Sequence, residues 1–563
     1  MTQTPASPTT AHPRPHLTHT VLNQSVPRVD VNEYEANQVL REAITRHDGG
    51  WGDAELVEIG ALVGTEQFQH DAKLANTITP QFHPFDRWGN RIDEVEYHPS
   101  YHRIISASIA HGAHTRCWAD PQPGSHVVRA AAFYLFGQIE PGHACPVSMT
   151  HAVIPSLELQ PDVAAQWVPK ALSRSYSSEL SADKSSAIFG MSMTEKQGGS
   201  DVRANTTVAV PVGSGGPGAE YLLTGHKWFC SAPMSDAFLV LAQAQGQGGE
   251  GLSCFLLPRV LPDGTRNSFR IQQLKDKLGN KSNASSEIEL DGTVAVMIGE
   301  PGRGVRTIIE MVAQTRLDCV LGSAAGMRQS VAEALWHARH RAAFGATLVD
   351  QPAMTAVLAD LALESEAATV TAMRLARAHD EDASDSEKAF RRLATAVAKY
   401  WICKRGPHHA YESLECLGGN GYTEDFPLSM RYREQPVMAV WEGSGNVIAL
   451  DVLRAMTREP DSVGAFDAEV NLARGTDPTL DAHLDQLRRD LGELAGLDAA
   501  SAQRRARRVV ESMALALEAS LLVRFSPAAV ADAFIAARLG ADRAFEYGAL
   551  PTGTDLGAIL TRH

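Results

Sequence analysis

Hydrophobic residues recur at helical spacing along the first third of the chain. In segment 31–48 the apolar residues fall near one helical face, at Val31, Tyr34, Val39, Leu40 and Ile44. Segments 51–65 and 127–140 repeat this pattern, and proline and glycine residues separate the three segments. Residues 18–185 are therefore predicted to form a mostly helical N-terminal domain.

Near Ser186 the pattern changes to short runs rich in valine, isoleucine, phenylalanine and tyrosine. Seven such runs lie between Ser186 and about Gly299, with glycine, aspartate, asparagine and proline in the gaps. Regularly spaced short strands are typical of a β-barrel or a β-sandwich. Residues 186–300 are therefore predicted to form a middle β-domain.

After Gly304 the helical period returns and continues to the end of the chain. Four helical segments predict a bundle over residues 301–455, and residues 456–563 are expected to form an extra all-α domain. The predicted fold class is a multidomain α+β chain in the order α, β, α, α. Residues 1–17 are rich in proline, threonine and serine and are expected to be a disordered arm.

Composition narrows the class of protein further. The 563 residues are 44% hydrophobic, and the net charge is −15, so DNA binding would need a local basic patch. No apolar run approaches the roughly 20 residues of a membrane span, and the N-terminus has no secretory apolar region. The 7 cysteines form no CxxC pair, which argues against a disulfide framework and against a zinc ribbon, and no metal site is expected. We expect a cytoplasmic protein that does not bind membranes.

Two segments of the β-domain carry residues suited to ligand binding. The run "MSMTEKQGGSD" (191–201) places a threonine, a glycine pair and a serine directly after a predicted strand. Backbone N–H groups and hydroxyls in such a loop can hold an anionic or heteroaromatic ligand, although the loop taken alone is better explained as a Gly-rich hairpin turn. The run "GHKWFCSAP" (225–233) ends a strand with aromatics and a hydroxyl, for which ordinary core packing is the alternative.

Two segments of the predicted bundle also stand out. In "RHRAAFG", Arg341 and Phe344 precede Gly345, a pattern that a capped helix end also explains. A glycine cluster in "ECLGGNGY" is followed by the loop "WEGSGN", where Glu442 comes after Trp441. A glutamate beside an aromatic residue could be a general base with a shifted pKa, or a solvated loop carboxylate.

Together these segments resemble the acyl-CoA dehydrogenase superfamily. "MTEKQGGSD" is similar to its TEPxAGSD pattern, "HKWFCSAP" to its K-x-W-I-T-N-G strand and "WEGSGN" to its YEGTxQ loop, while "RxxFG" and "LGGNGY" are further signatures. The variants TEKQGGSD, GHKWF and WEGSGN, with about 110 residues after the bundle, resemble its AidB-like, alkylation-response branch. The resemblance covers nearly the whole chain and implies the acyl-CoA dehydrogenase fold with an extra C-terminal all-α domain.

The resemblance implies FAD, bound without a covalent link between the β-domain and the bundle. Thr194 would lie near the flavin ring, Ser200 near the diphosphate, and Phe229 against the isoalloxazine, while Ser231 would hydrogen-bond flavin N5. The implied cofactor-binding residues are Met191, Met193, Thr194, Gly198, Gly199, Ser200, Phe229, Cys230, Ser231, Trp441, Gly443, Ser444 and Asn446.

The resemblance also implies a catalytic base and an oligomer. Glu442 occupies the position of the base that removes the substrate α-proton, and burial would raise its pKa. Arg341 and Phe344 match residues that reach the FAD of a neighbouring subunit, so a homotetramer built as a dimer of dimers is expected. Pro352, Ala313 and Lys196 depart from the family pattern. These three changes leave FAD binding intact and weaken the expectation of efficient acyl-CoA turnover.

DNA binding in this branch is attributed to the extra domain. Acidic residues outnumber arginines in this domain, but it contains one dense basic cluster: Arg504, Arg505, Arg507 and Arg508. Together with Arg454, this cluster is expected to contact double-stranded DNA without sequence preference. A solvated helix face paired with Glu511 is the alternative for this cluster. Two other functions stay open: a plain short- or branched-chain acyl-CoA dehydrogenase whose extra domain builds the oligomer, and a non-enzymatic DNA-shielding flavoprotein.

Overall fold

The N-terminal part of the chain is mostly helical, as predicted. The computed structural model describes residues 18–246 and 249–563, so the arm expected over 1–17 lies outside the described residues. The helices are α1 (Gln38–Arg46), α2 (Asp53–Gly64), α3 (Glu66–Thr77), α4 (Pro99–Ala110), α5 (Arg116–Ala119), α6 (Ser125–Ile139), α7 (Ala144–Ala152), α8 (Ile154–Leu157) and α9 (Pro161–Ala171). α6 is buried along its whole length and packs against the first helix of the bundle.

Two local features of this part differ from the sequence prediction. The helix expected from residue 31 begins only at Gln38, because the Asn37 side chain accepts the Leu40 N–H at 3.1 Å and caps it there. The helical prediction also overlooked the antiparallel hairpin of β1 (Gln81–Phe85) and β2 (Arg91–Glu96). Asp86 closes its turn by accepting the Trp88 and Asn90 N–H groups.

The middle part forms a closed barrel from the seven runs that the sequence indicated. Its strands are β3 (Phe189–Ser192), β4 (Val208–Pro211), β5 (Glu220–Ser231), β6 (Ala237–Ala244), β7 (Gly251–Pro258), β8 (Arg270–Leu274) and β9 (Ser285–Ile298). Pairing runs β6–β4–β5–β9–β7 and returns from β7 to β6, which closes the ring, while β3 pairs with β6 and β8 with β9. Inward side chains such as Tyr221, Phe238 and Phe255 fill the barrel.

The bundle contains one helix more than the sequence predicted. Its helices are α10 (Gly304–His340), α11 (Pro352–Arg377), α12 (Asp385–Glu415), α13 (Leu428–Met438) and α14 (Gly445–Arg458), and a small hairpin of β10 (Ala342–Ala343) and β11 (Ala346–Thr347) follows α10. α13 was missed because Pro436 lies within it and glycine-rich loops flank it. Ser384 caps α12 by accepting the Glu387 N–H.

The last part of the chain is all-α and packs on the bundle. It consists of α15 (Pro460–Asn471), α16 (Pro478–Ala495), α17 (Ala499–Phe525), α18 (Ala528–Arg538) and α19 (Leu556–Leu560). α17 lies against α11, α12 and α14, and its buried residues belong to the same hydrophobic core as the bundle. Across residues 18–246 and 249–563, no helix is long and apolar enough to cross a membrane.

Candidate active site

The loop between α13 and α14 carries Glu442 and is fixed from two sides. The buried Lys399 of α12 donates through Nζ to the carbonyls of Trp441 at 2.8 Å and Gly443 at 2.6 Å. Arg316 of α10 donates through Nε to the Glu442 carbonyl at 3.1 Å. Glu442 itself has a φ of 56°, in the left-handed region that costs a non-glycine residue on the order of 1 kcal/mol. Two cations therefore hold the loop in a conformation that it would not adopt alone.

The Glu442 carboxyl group points into an enclosed space. Its Oε2 is shielded from solvent and has no hydrogen-bond partner among the described residues. Burial raises the pKa of Glu442 above its ordinary value, although a hydrogen bond with Thr315 and the charges of Arg316 and Lys399 act in the opposite direction. This is the direction expected from the sequence. A carboxylate that is poorly solvated and has a free oxygen is suited to accept a proton.

A buried ion pair supports the glycine-rich loop of the barrel. Glu195 and Lys227 of β5 are both fully enclosed, and Lys227 Nζ donates to the carboxylate at 2.8 Å. The backbone and hydroxyl groups of Thr206 and Thr207 also donate to Glu195. Burial alone would raise the pKa of Glu195, but the charge and hydrogen bonds of Lys227 lower it well below its usual range. The loop is therefore supported by a buried polar network of Glu195, Lys227, Thr206 and Thr207.

Several predicted cofactor residues of the same loop lie at the protein surface. Met191 and Met193 are half-buried against the apolar cluster between the barrel strands and α7–α9, whereas Gly198, Gly199 and Ser200 are exposed. A Cβ at residue 199 would meet the Thr194 Oγ1 at 2.4 Å, so only glycine allows this close approach. Thr194, whose carbonyl accepts the Trp228 N–H at 2.8 Å, joins the loop to β5. The exposed backbone is thus left open toward a ligand.

The end of β5 presents two of its three predicted cofactor residues to one face. Phe229 is half-exposed, and Ser231 lies with its Oγ 3.0 Å from the Ser285 Oγ of β9. Cys230 lies between them and is fully buried in the barrel core. Because successive strand residues point to opposite faces, the structure does not bring the Cys230 side chain to the site. Only its backbone is available there.

Cys145 of α7 lies between the barrel and the bundle at this site. Burial raises the pKa of its thiol to about 11, and Ser231 and Glu442 lie close enough to influence that pKa. Lys277, which donates to the Ser285 Oγ at 3.2 Å, lies beside it. Burial lowers the pKa of Lys277 to about 8, while the nearby Cys145 acts in the opposite direction. The three parts of the chain therefore meet around Ser231, Cys145 and Glu442.

A cleft adjoins this meeting point. It has a volume of about 390 Å³ and is lined by residues that include Ala232, next to Ser231, and Pro146, next to Cys145. Aromatic side chains line the opposite part of the cleft, among them Tyr97 and Tyr101, which stack at 4.5 Å. The cleft offers room for an apolar group beside the site.

The first turn of α14 forms a positively charged end of the site. Ser444 is at the N-cap without a side-chain hydrogen bond, and Asn446 accepts from Arg507 Nε at 2.8 Å. A Cβ on Gly445 would lie 3.1 Å from Lys404 Nζ and 3.4 Å from Arg507 Nη2. Open N–H groups of a helix N-terminus beside two cations favour an anionic ligand.

Arg341 and Phe344 lie apart from the rest of the site. About 25 residues of α10 separate Arg341 from Arg316, which is roughly 37 Å of helix. Arg341 donates to the Asn23 carbonyl, and Phe344, at the tip of the β10–β11 turn, is fully exposed. Within one chain these two residues cannot contact a ligand held beside Glu442.

The arginines expected to bind DNA are also divided. Arg507 faces the loop at Asn446, whereas Arg505 pairs with Glu493 at 3.1 Å. Arg454 contacts Asp451 at 3.3 Å. Two further residues, Arg504 and Arg508, are exposed four positions apart on α17, and among the described residues neither lies within 4.0 Å of a carboxylate. These two therefore form the free cationic face of the helix.

Sequence reasoning missed seven residues that the fold brings to the site. They are Cys145, Lys277, Thr315, Arg316, Lys399, Lys404 and Arg507, the last of which was assigned to DNA. One signal was available, because Lys399 is a single cation in an apolar stretch of α12. The others lie far in sequence from the motifs that they contact.

Comparisons with known proteins identify the family of this chain. Residues 23–178 match the AidB N-terminal domain, residues 190–293 the acyl-CoA dehydrogenase middle domain, and residues 302–457 the acyl-CoA dehydrogenase C-terminal domain. The chain belongs to the acyl-CoA dehydrogenase superfamily and to its AidB-like branch. It is 43% identical to the Escherichia coli protein described as "Putative acyl-CoA dehydrogenase AidB" over 478 residues, which cover 84% of this chain and 87% of that protein.

Two solved structures share the fold. Caenorhabditis elegans ACDH-11 in complex with C11-CoA has a TM-score of 0.84 and 26% identity, covering 95% of this chain and 96% of that one. An acyl-CoA dehydrogenase from Bacillus anthracis complexed with FAD has a TM-score of 0.62 and 16% identity, covering 79% and 78%. The first similarity includes the extra C-terminal helices, because it extends over nearly the whole chain.

Proposed function

We propose that this chain is an FAD-dependent protein that abstracts the α-proton of an acyl-CoA through Glu442 and also binds DNA as part of an alkylation response. The observation that carries the catalytic part is the enclosed, unpartnered Oε2 of Glu442 on a loop fixed by Lys399 and Arg316. A structural or solvated carboxylate would have its oxygens paired or exposed.

The residues around the site fit FAD. The exposed backbone of Gly198 and Gly199 allows a ring or a diphosphate to approach closely, and Phe229 offers an apolar face. At the far end, the open N-terminus of α14 with Arg507 matches the negative charge of a dinucleotide diphosphate. When bound, the cofactor supplies the acceptor for the hydride that leaves the substrate β-carbon.

The side chains of this protein would supply the positioning and the proton transfer. Glu442 takes the α-proton onto Oε2, and its poor solvation makes the carboxylate basic enough for that task. Lys399 and Arg316 keep the loop in place during the transfer because they hold its carbonyls, not its carboxyl group.

The substrate class follows from relatives and from the cleft. The C. elegans relative was solved with C11-CoA, and the cleft beside Ser231 and Cys145 is lined in part by aromatic side chains that suit an apolar acyl group. The departures at Pro352, Ala313 and Lys196 lead us to propose slow turnover. The physiological role is then a response to DNA alkylation, not bulk fatty-acid oxidation.

We further propose a homotetramer in which Arg341 and Phe344 complete the cofactor site of a neighbouring subunit. The fully exposed Phe344 is the supporting observation, because a monomer gains nothing from an aromatic ring at a turn tip. The left-handed φ of 52° at Phe344 and 85° at Gly345 makes this a tight two-residue turn that projects the ring outward.

For DNA, we propose that Arg504 and Arg508 contact phosphates, whereas Arg507 serves the cofactor. Arg505 and Arg454 already have carboxylate partners at the surface, so their contribution to DNA is smaller. Phosphate contacts give affinity without sequence preference, which suits a protein that covers damaged DNA of any sequence.

The Arg507→Ala variant and the Arg504→Ala/Arg508→Ala double variant separate these roles. Arg507→Ala removes a charged hydrogen-bond donor from the α14 end, so FAD affinity should fall about 10- to 100-fold with DNA binding retained. The double variant should keep its FAD and lose up to about two units of the slope of log K against log salt. Flavin fluorescence during dialysis and DNA retention at several salt concentrations are the two measurements.

The reverse result would contradict the assignment. If Arg507→Ala kept its flavin and lost DNA affinity, the whole cluster would belong to DNA, as the sequence alone suggested. An unchanged salt slope in a folded double variant would favour the alternative of a plain acyl-CoA dehydrogenase whose extra domain has another role.

A further inference from the structure

A buried cluster of cysteine and histidine lies outside the site described so far. Cys117 of α5, His126 of α6 and His151 of α7 are all buried, and one potential ligand atom from each lies within 4.8 Å of the other two. The Cys117 Sγ is 3.8 Å from the His151 Nδ1. We propose that these three residues bind a structural Zn²⁺ ion.

Unpartnered nitrogen atoms support a ligand at this position. The Nε2 of His126 is buried without a hydrogen-bond partner among the described residues, and so are both ring nitrogens of the neighbouring His379. The rings of His126 and His379 have centroids 6.1 Å apart. Buried polar atoms are almost always satisfied, so this concentration of unpaired nitrogens indicates a missing partner that accepts lone pairs.

The donor set and its geometry suit zinc. One thiolate and two or three neutral imidazoles are common zinc ligands, and tetrahedral bonds of about 2.3 Å to sulfur and 2.0 Å to nitrogen place ligand atoms roughly 3.5 Å apart. The separation of Sγ and Nδ1 is already close to that value.

The surrounding polar groups can accommodate a bound ion. The Trp118 indole N–H donates at 2.9 Å to the His151 Nδ1, but it also lies 3.0 Å from the His151 carbonyl and keeps that acceptor if Nδ1 turns to a metal. The Asp380 carboxylate accepts the His126 backbone N–H at 2.7 Å and fixes the start of α6. The nearby positive charge of Arg129 is balanced by its buried ion pair with Asp318.

The position of the cluster assigns the ion a supporting role. The His151 Nε2 is 3.3 Å from the Gln314 Oε1, and Gln314 precedes Thr315, the hydrogen-bond partner of Glu442. A metal here would join α5, α6 and α7 through one ligand from each helix. It would support α10 through the contact between His151 and Gln314. It would not contact the substrate, because the cluster is buried.

Metal analysis of the full-length protein tests the proposal independently of the flavin. Protein purified without chelators should contain about one zinc per chain by mass spectrometry. After removal of the metal, titration with Co²⁺ should produce sulfur-to-cobalt charge-transfer absorption in the near ultraviolet, which only a thiolate ligand gives. Zn²⁺ should also raise the melting temperature of the metal-free chain.

Two variants and a matched control complete the experiment. Cys117→Ser and His126→Asn should each lower zinc affinity by about 100-fold or more, whereas Cys254→Ser, at an equally buried thiol in β7, should leave zinc content unchanged. If Cys117→Ser fails to fold, the cobalt spectrum of the unaltered chain still decides. A wild-type protein that takes up neither Zn²⁺ nor Co²⁺ overturns the proposal, as does full zinc content in Cys117→Ser or copper in place of zinc.

Discussion

Replacing Glu442 with glutamine should lower the rate of flavin reduction by any competent acyl-CoA by about 10²- to 10⁴-fold, while FAD stays bound. Glutamine keeps the size and shape of the side chain but cannot accept the α-proton. The loop should be unaffected, since Lys399 and Arg316 hold its backbone carbonyls. Anaerobic stopped-flow measurement of flavin bleaching gives the rate.

Glu518→Gln is the matched control for this variant. Glu518 is a buried carboxyl group of α17 whose pKa burial also raises well above its usual value, but it accepts from Trp401 and lies outside the catalytic loop. Its replacement should leave the rate of flavin reduction unchanged. An equal loss of rate in both variants, or an unchanged rate in Glu442→Gln, would mean that the base lies elsewhere.

The same Glu442→Gln variant should be more stable than the wild type at neutral pH. Because the pKa of Glu442 is raised in the folded state, the native protein binds this proton more tightly than the unfolded chain does. The free energy of unfolding of the wild type therefore falls as pH rises from the unfolded pKa, near about 4.3, through the raised folded value. Glutamine does not titrate, so the variant does not lose stability in this way as pH rises. The difference in melting temperature between the variant and the wild type should therefore grow with pH and vanish below about pH 4.

Replacing Lys227 with methionine should destabilise the protein by about 3–5 kcal/mol, the range for a buried ion pair that loses one partner. Lys227 and Glu195 are both fully enclosed, so the remaining carboxylate would have no compensating charge in the barrel. The threonine donors of Glu195 would remain, but the loop of Gly198 and Gly199 that rests on it should loosen. We therefore expect weaker FAD binding as well, measured beside urea unfolding.

An exposed pair of the same barrel provides the control. Arg270 of β8 and Asp291 are 2.9 Å apart and about half exposed, so Arg270→Met should cost less than about 1 kcal/mol and leave FAD affinity intact. The double variant Glu195→Gln/Lys227→Met should recover part of the lost stability, because it removes the stranded charge. A loss under 1 kcal/mol in Lys227→Met would show that the pair does not support the loop.

Periodicity predicted the order of structural elements and much of the barrel, because strand and helix patterns are local. All seven indicated runs became strands, and burial raises the pKa of Glu442 in the direction that the sequence led us to expect. The alternation along β5 would also have excluded the Cys230 side chain, which lies on the face opposite Phe229.

Other parts of the site depend on contacts that no local pattern encodes. Lys399 reaches the loop at Trp441 from 42 positions away, and Arg507 reaches Asn446 from 61 positions away. Both pairings follow from how α12 and α17 pack on α14, which is a property of the whole fold. For the same reason the histidine and cysteine ligands of the proposed zinc site, which lie on three short helices, form no recognisable spacing in the sequence.

Chromatography of the flavin released by denaturing the purified protein tests the central claim most directly. The exposed glycine backbone near Thr194 and the cationic α14 end with Arg507 and Lys404 together predict a dinucleotide, so the account requires FAD at about one molecule per chain. Recovery of FMN, or no flavin even after reconstitution with excess FAD, would contradict it.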